Sequence, residues 1–245
     1  MAVVEKTVDI IGDAGFCDVL IERRVPEGYP TDIYDDTVQS LRNYALRGLA
    51  DVTSITLTAL TTFAQECISS CSALVRIEVP AVTTVASHAM RDNPLLEEAV
   101  MPNVESIGNY AFTSCPSLKR ICYPKLKTLG PGVYYACTNV EQIELPKLET
   151  IGEYAIASCK KIQQLDLPSI KSIGRDLLYA DSETTVVNIG PYITSINADA
   201  FRYKTDEFVI NMAVAEGAVS GAPWGAVNAT INYNVPYSGN VPMPT

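Results

Sequence analysis

The chain holds few residues able to do chemistry, and their arrangement does not form a catalytic centre. His88 is the only histidine, so a nucleophilic mechanism of the Cys-His or Ser-His-Asp type would have to use it. Adjacent carboxylates such as Glu97 and Glu98 occur, but no pattern around them indicates burial or a partner base. The chain has no P-loop, no G-x-G-x-x-G segment after a strand and no EF-hand loop. We therefore predict that the protein is not an enzyme and takes no cofactor.

Cysteines are the other reactive groups, and four of the 7 fall in one column of regularly spaced positions. The column runs Cys71, Asn93, Cys115, Cys137, Cys159 and Asp181, with a step of 22 residues. Metal-binding cysteines usually come as close pairs such as C-x-x-C with a second pair elsewhere, and this column lacks such pairs. A small polar atom that satisfies loop backbone explains both the thiols and their replacements. The column predicts scaffold residues and no metal site.

A repeat of 22 residues explains this spacing, and prolines mark it at Pro80, Pro102, Pro124, Pro146 and Pro168. With each proline as position 1, apolar residues recur at positions 3, 6, 10, 11, 17, 20 and 22, and position 7 is small. Positions 20 and 22 alternate as in a half-buried strand, which the next proline ends because it has no amide hydrogen. Positions 10 and 11 predict a short helical or irregular turn, and the small residue predicts a tight turn.

One such unit cannot bury its apolar face alone, so the units must stack and place their strands side by side. The sequence predicts a leucine-rich repeat solenoid, α/β to mostly β, with about eight units over residues 36–211 and a parallel sheet on one face. Residues 1–35 are predicted to cap the first unit and residues 212–245 to cap the last. Trp224 is predicted to seal the final unit, followed by a last strand near Ile231.

Composition excludes several classes of partner. The chain carries 18 basic and 28 acidic residues, a net charge of −10, which opposes binding to nucleic acid or to anionic lipid. No apolar run reaches the length of a membrane span, and the first residues lack the pattern of a signal peptide. We predict no nucleic-acid partner and no membrane insertion.

The outward positions of the predicted strands, 19 and 21, are the candidate binding surface, because solenoids bind through an extended sheet on a rigid base. The candidate partner-binding residues are Arg76, Glu78, Glu98, Arg120, Gln142, Glu144, Gln164, Asp166 and Asn188. Tyrosines are more frequent on the other flank, as at Tyr110, Tyr135, Tyr154 and Tyr179. Which face binds, and whether either face is more than solvated surface, stays open.

The stretch from Pro102 to Cys115, with the motif P-x-V-x-S-I-G-x-x-A-F-x-x-C, resembles the BspA-like leucine-rich repeat family over residues 36–211. The resemblance implies a recognition or adhesion module that binds a protein or a cell-surface glycan, on a bacterial surface or in a phage virion as part of a tail or fibre. Short similarities near Asp18–Arg23 and Trp224 resemble phage members. The alternative is a structural subunit that decorates a larger assembly, with itself or other virion subunits as partners.

Overall fold

The computed structural model describes residues 31–181 and 183–237. These residues form seventeen short strands connected by turns and contain no helix. The strands are β1 (Asp32–Asp35), β2 (Ser54–Leu57), β3 (Thr62–Phe63), β4 (Arg76–Glu78), β5 (Thr84–Val85), β6 (Glu98–Val100), β7 (Ser106–Ile107), β8 (Arg120–Cys122), β9 (Thr128–Leu129), β10 (Gln142–Glu144), β11 (Thr150–Ile151), β12 (Gln164–Leu167), β13 (Ser172–Ile173), β14 (Val186–Ile189), β15 (Ser195–Ile196), β16 (Phe208–Met212) and β17 (Ala229–Asn232).

The predicted solenoid is confirmed by the order and register of the longer strands. Each of the eight predicted units contributes one strand at positions 19–22, from β2 to β16, and β1 and β17 add one strand at either end. Neighbours pair in parallel with partners 22 residues apart, as Arg76 does with Glu98. The offset becomes 23 between Val186 and Val209, which places the inserted residue before Pro191. Stacking therefore follows the sequence repeat directly.

This row of strands is hydrogen-bonded in three segments. The segments contain β1-β2-β4-β6, then β8-β10, then β12-β14-β16-β17. Between β6 and β8 the buried Tyr123 hydroxyl donates to the Ala99 carbonyl oxygen at 3.3 Å. Between β10 and β12 the row opens at the surface. The sequence predicted one continuous sheet, and the structure shows one that is interrupted twice.

A second parallel sheet, which the sequence analysis missed, runs along the neighbouring flank. Its seven two-residue strands occupy positions 5 and 6 of successive units, in the order β15-β13-β11-β9-β7-β5-β3. The position-6 residue of each strand points into the core, as Ile107 and Ile151 do. Positions 9–12, predicted to be a helical or irregular turn, are turns without a helix. The described part of the fold is therefore a β-solenoid with two ladders.

The core is a continuous column filled by the apolar positions of the repeat. The residues at positions 10 and 11, such as Ala111 and Phe112, are fully buried, and so are those at positions 3, 17 and 22 in most units. Position 7 is small because the preceding unit passes very close to it. A Cβ on Gly152 would lie 2.6 Å from the backbone nitrogen of Pro131. Close approach of two backbones, and not a left-handed turn, is therefore the reason for this column.

The carboxyl-terminal end is closed by a buried tryptophan. Trp224 is fully buried, and its indole nitrogen donates to the Ser220 carbonyl oxygen at 2.9 Å. β17 then pairs with β16 through partners such as Ile210 and Ile231. Most of the predicted amino-terminal cap, residues 1–30, lies outside the described residues, as do residues 238–245 of the tail. The division into two caps around residues 36–211 therefore stays a proposal.

Candidate functional site

The sheet face, defined as the side chains at positions 19 and 21 of the longer strands, is accessible along the described chain. All nine candidate residues from Arg76 to Asn188 lie on it, and each is exposed or half-buried. Side chains alternate between the two faces of each strand, so the residues at positions 19 and 21 point outward because the intervening residues, such as Ile77 and Leu165, are buried. The structure therefore places the nine residues on one surface. Their role in binding a partner stays a prediction.

The first half of the sheet face is occupied by ion pairs between neighbouring strands. The Arg76 guanidinium lies 2.7 Å from the Glu78 carboxylate and 2.8 Å from that of Glu98. Arg120 lies 3.8 Å from Glu144, with more than half of both side chains exposed. Exposed pairs of this kind contribute little to stability. Their charges remain available to a partner.

The second half of the sheet face is a ladder of amides. Asn188 donates to the Asp166 carboxylate at 2.6 Å, and Asn211 donates to the Asn188 side-chain oxygen at 2.8 Å. Asn232 continues the ladder to Asn211 at 3.0 Å. Each amide keeps a second N–H for solvent or a partner. Asp166 and Asn188 are among the predicted face residues, whereas Asn211 and Asn232, which extend their ladder, are not.

The interruption between β10 and β12 forms a cleft of about 510 Å³ in the sheet face. In most successive units the position-18 amide donates to the position-18 carbonyl of the previous unit, as Glu141 does to Lys119 at 3.0 Å. Within the described residues, Gln163 makes no such bond to the Glu141 carbonyl. Ile143 at the floor of the cleft is consequently only half-buried, whereas its equivalents Ile121 and Leu165 are buried.

The lining of the cleft is acidic and rich in amides. It consists of Glu141, Gln142, Ile143, Glu144, Lys161, Gln163, Gln164 and Glu183. Three carboxylates and one ammonium leave a net charge of −2. The Lys161 ammonium lies 3.5 Å from Glu141. Three of the predicted face residues, Gln142, Glu144 and Gln164, meet at this cleft.

Cys122 is the exposed thiol of the sheet face, as its position between two inward residues predicts. Its sulfur lies 3.5 Å from a carboxylate oxygen of Glu144. Partial burial and the Glu144 carboxylate raise the pKa of the Cys122 thiol, and Arg120 opposes this rise. The thiol is therefore held protonated and poorly nucleophilic.

The cysteine column is scaffold, as predicted. The thiols of Cys71, Cys115, Cys137 and Cys159 are buried, and each donates to a carbonyl oxygen 25 residues earlier at 3.1–3.3 Å. Asn93 does the same with its amide, which donates to the Ile68 carbonyl at 2.8 Å. Burial raises the pKa of Cys115 to about 12. No group of three or more histidine, cysteine or acidic residues in residues 31–181 and 183–237 is placed to hold a metal ion.

His88 is part of an aromatic stack. Its ring centroid lies 5.4 Å from that of Tyr110 at an interplanar angle of 23°, and the residue is half-buried. On the same flank Tyr179 contacts Tyr154 and Tyr203 edge to face, with ring centroids 6.0 and 5.1 Å apart. Tyr134, at position 11 of its unit, is fully buried against Phe112, as the apolar column there predicts.

The described part of the chain contains no helix long and apolar enough to cross a membrane.

Two parallel ladders built from a 22-residue unit define a leucine-rich repeat solenoid. Comparison with known sequences identifies the family within this class of proteins. The family described as BspA type Leucine rich repeat region matches in six copies over residues 3–119 and 105–212. The chain belongs to this family. No curated protein sequence matches the chain.

Several solved structures of leucine-rich proteins are similar to this chain. A T. pallidum leucine-rich repeat protein is 21% identical over 60% of this chain and 68% of its own, with a TM-score of 0.51. A leucine-rich cell surface protein from Faecalibacterium prausnitzii is 14% identical over 86% and 89%, with a TM-score of 0.42. The pneumococcal vaccine antigen PcpA is 12% identical over 84% and 79%, with a TM-score of 0.46.

Proposed function

We propose that the protein is a non-enzymatic recognition or adhesion module that binds a protein or cell-surface partner through the sheet face. The cleft between β10 and β12 is the observation that carries this proposal, because it gives the sheet face a concave, charged centre. Membership of the BspA type family supports a binding role. On the same resemblance we propose a location on a bacterial surface or in a phage tail or fibre.

The charges of the cleft favour a basic partner. Glu141, Glu144 and Glu183 outnumber Lys161, and the whole chain carries −10. Complementary charge accelerates association and disfavours partners of the same sign. The carbonyl of Glu141, which accepts no backbone hydrogen bond from the described residues, and the amides of Gln142 and Gln164 supply hydrogen-bonding groups that would orient the partner. A protein segment that presents lysine or arginine fits this combination.

The alternative is a structural subunit of a larger assembly, and one observation favours it. No strand of the described chain pairs with the outer edge of β17, on which the amide ladder ends at Asn232. Open strand edges accept strands from other chains. Homo-oligomers or assemblies through this edge would leave the cleft free.

A charge-swap experiment tests the recognition proposal. The double variant Arg120→Glu with Glu144→Lys keeps the net charge and the ion pair but inverts the pattern beside the cleft. We expect binding of the labelled protein to intact bacterial and host cells to fall by at least about tenfold, the equivalent of about 1.4 kcal/mol. Flow cytometry over a concentration series measures it.

The matched control swaps Lys119 and Glu97, an exposed pair 2.6 Å apart that lies one position outside the sheet face. This control should bind as the unmodified chain does. Equal binding by all three proteins, or an equal loss in both double variants, would show that the sheet face does not recognise the partner. Two results together would favour the structural alternative. The unmodified chain would not bind cells, and it would form concentration-dependent oligomers that Asn232→Asp disrupts.

A further inference from the structure

A second pocket lies on the flank beside the shorter strands, away from the cleft. We call it the flank pocket; it has a volume of about 340 Å³ and is lined by Lys127, Lys147, Glu149, Ser169, Lys171 and Tyr192. These residues occupy positions 2 and 4 of four successive units. A volume of this size lies within the usual range for small-molecule sites.

Backbone hydrogen bonds fix the spacing of the lining residues. The amide of Glu149 donates to the Lys127 carbonyl at 2.8 Å, and the amide of Lys171 donates to the Glu149 carbonyl at 2.8 Å. β9, β11 and β13 pair in parallel immediately after these residues. Successive side chains therefore project from a rigid ladder at about 4.8 Å per unit. The pocket needs no rearrangement to present its charges.

The flank pocket is locally basic on an acidic protein. Its three lysines and one glutamate leave a net charge of +2, against −10 for the whole chain. Lys127 is paired with Glu105 at 2.8 Å and Lys171 with Glu149 at 2.7 Å. Within the described residues, Lys147 has no carboxylate within 4.0 Å. Lys127 chiefly, with Lys125 and Lys147 further away, lowers the pKa of the Glu105 carboxyl. An incoming anion thus meets one uncompensated ammonium among paired ones.

Tyr192 gives the flank pocket a flat apolar wall. Its side chain is 39% exposed, so one large ring surface remains uncovered at the rim. Tyrosine combines such a surface with a polar end, which suits ligands that are apolar on one face and polar at the edge. Ser169 is buried, and its hydroxyl donates to the Pro146 carbonyl at 2.7 Å, so it offers a ligand only an acceptor.

We propose that the flank pocket binds an acidic sugar, with the carboxylate at Lys147 and the sugar ring against Tyr192. A bare anion would leave the ring wall and most of the volume unused. Long polyanions such as nucleic acids are repelled by the remaining surface of the chain. A single acidic sugar uses the ammonium, the ring and the pocket volume together. This site is separate from the cleft and does not depend on the function proposed for it.

Titration of the full chain with a matched pair of sugars tests the ligand class. Methyl glucuronide and methyl glucoside differ in the carboxylate, so calorimetry or amide chemical shifts of residues near Tyr192 compare the two directly. We expect glucuronide to bind with a dissociation constant of about 1 mM or below and glucoside at least about tenfold more weakly. Inorganic sulfate and N-acetylglutamate, which supply negative charge without a sugar ring, should also bind at least about tenfold more weakly.

Variants then test the residues. Lys147→Glu should abolish binding, whereas Lys147→Arg should retain it within about threefold because the positive charge remains. Tyr192→Ala should weaken glucuronide binding by at least about fivefold, in line with the contribution of one ring contact. Lys119→Glu, which makes the same charge change at a pair outside the flank pocket, serves as the control and should bind normally.

Three outcomes would overturn the proposal. Equal affinity for glucuronide and glucoside would show that the carboxylate is not recognised. Equal affinity for glucuronide, sulfate and N-acetylglutamate, with no effect of Tyr192→Ala, would reduce the pocket to nonspecific anion binding. Normal binding by a folded Lys147→Glu variant, with a circular dichroism spectrum and Tm like the unmodified chain, would place any sugar site elsewhere.

Discussion

The thiol of Cys159 donates a hydrogen bond to the carbonyl oxygen of Tyr134, 25 residues earlier and 3.3 Å away. The same bond, from position 14 to position 11 of the preceding unit, is made by Cys71, Cys115 and Cys137, and by the amide of Asn93. The column therefore requires a hydrogen-bond donor. Asp181 occupies the next place in it and is buried, and within the described residues its carboxylate oxygens accept at most a weak hydrogen bond, from the backbone amide of Cys159.

A carboxyl group donates only when it is protonated, and burial raises the pKa of Asp181 from 3.8 to about 8, opposed by the backbone amide of Cys159 and by the charge of Lys204. The folded state then holds a proton that the unfolded chain releases. The stability contributed by neutral Asp181 is complete below about pH 4 and is lost progressively as the pH rises to about 8. Thermal unfolding between pH 4 and 9 should show this decline.

The variant Asp181→Asn should stabilise the protein at pH 7 by about 1–3 kcal/mol, because a neutral amide supplies the donor without burying a charge. Its Tm should depend less on pH between 4 and 8 than that of the unmodified chain. Asn93→Asp is the mirror control and should destabilise the chain at pH 7. Identical pH profiles for Asp181→Asn and the unmodified chain would contradict a protonated Asp181.

Thiol accessibility gives a second prediction. Among the described cysteines only Cys122 is exposed, so iodoacetamide should modify it in the folded protein and leave Cys67, Cys71, Cys115, Cys137 and Cys159 unmodified. Glu144→Gln should accelerate its modification at pH 8, because the Glu144 carboxylate raises the pKa of the thiol. Arg120→Gln should slow it, since the guanidinium lowers that pKa. Peptide mapping by mass spectrometry measures each rate. Slower modification in Glu144→Gln, or faster modification in Arg120→Gln, would contradict the contacts of Cys122 with these two side chains.

Gly132 gives a prediction about backbone and packing together. Its φ is +58°, and a Cβ there would overlap the ring of Tyr110. Gly132→Ala should therefore destabilise the fold by about 1–3 kcal/mol, measured by urea unfolding, because the ring must move in a packed surface. Gly48→Ala, whose Cβ would meet nothing within 4 Å, isolates the cost of positive φ alone. Equal losses in both variants would exclude the steric explanation.

The seal at the carboxyl-terminal end makes a fourth prediction. Trp224→Ala should cost about 3–5 kcal/mol of unfolding free energy, because it removes a fully buried ring. Removal of residues 221–234 should expose the last unit and cause aggregation. Val227→Ala, at a side chain that is 72% exposed, is the control and should leave stability unchanged. A soluble, cooperatively folding truncation would show that Trp224 does not close the core.

The sequence predicted those features that side chains alone determine. Columns of apolar residues located the longer strands, and the position of Asn93 among cysteines indicated a polar bond to loop backbone. The second sheet was missed because each strand has only two residues, such as Ser106 and Ile107, too few to show alternation. In such short strands the evidence lies in backbone pairing, which residue types do not record.

The cleft could not be predicted for a related reason. Gln142 and Gln164 occupy ordinary positions of the repeat, and the next unit carries an apolar residue at the position of Ile143 as well. The missing bond between Gln163 and Glu141 is a displacement of backbone that leaves the side-chain pattern unchanged. The sequence thus identified the residues of the sheet face but not the place where that face opens. The flank pocket was also missed, because its lysines come from separate units.

The two ladders differ where the row of longer strands is interrupted, and at the cleft this has a mechanical consequence. The row of longer strands is interrupted between β10 and β12, whereas β11 and β13 stay hydrogen-bonded on the neighbouring flank. The uninterrupted ladder can act as the axis of a hinge. Bending about it would change the width of the cleft against the resistance of the backbone hydrogen bonds between neighbouring turns, such as that from the Tyr134 amide to the Ala155 carbonyl oxygen. A tensile load applied along the molecule would therefore change the separation of β10 and β12 and with it the shape of the cleft.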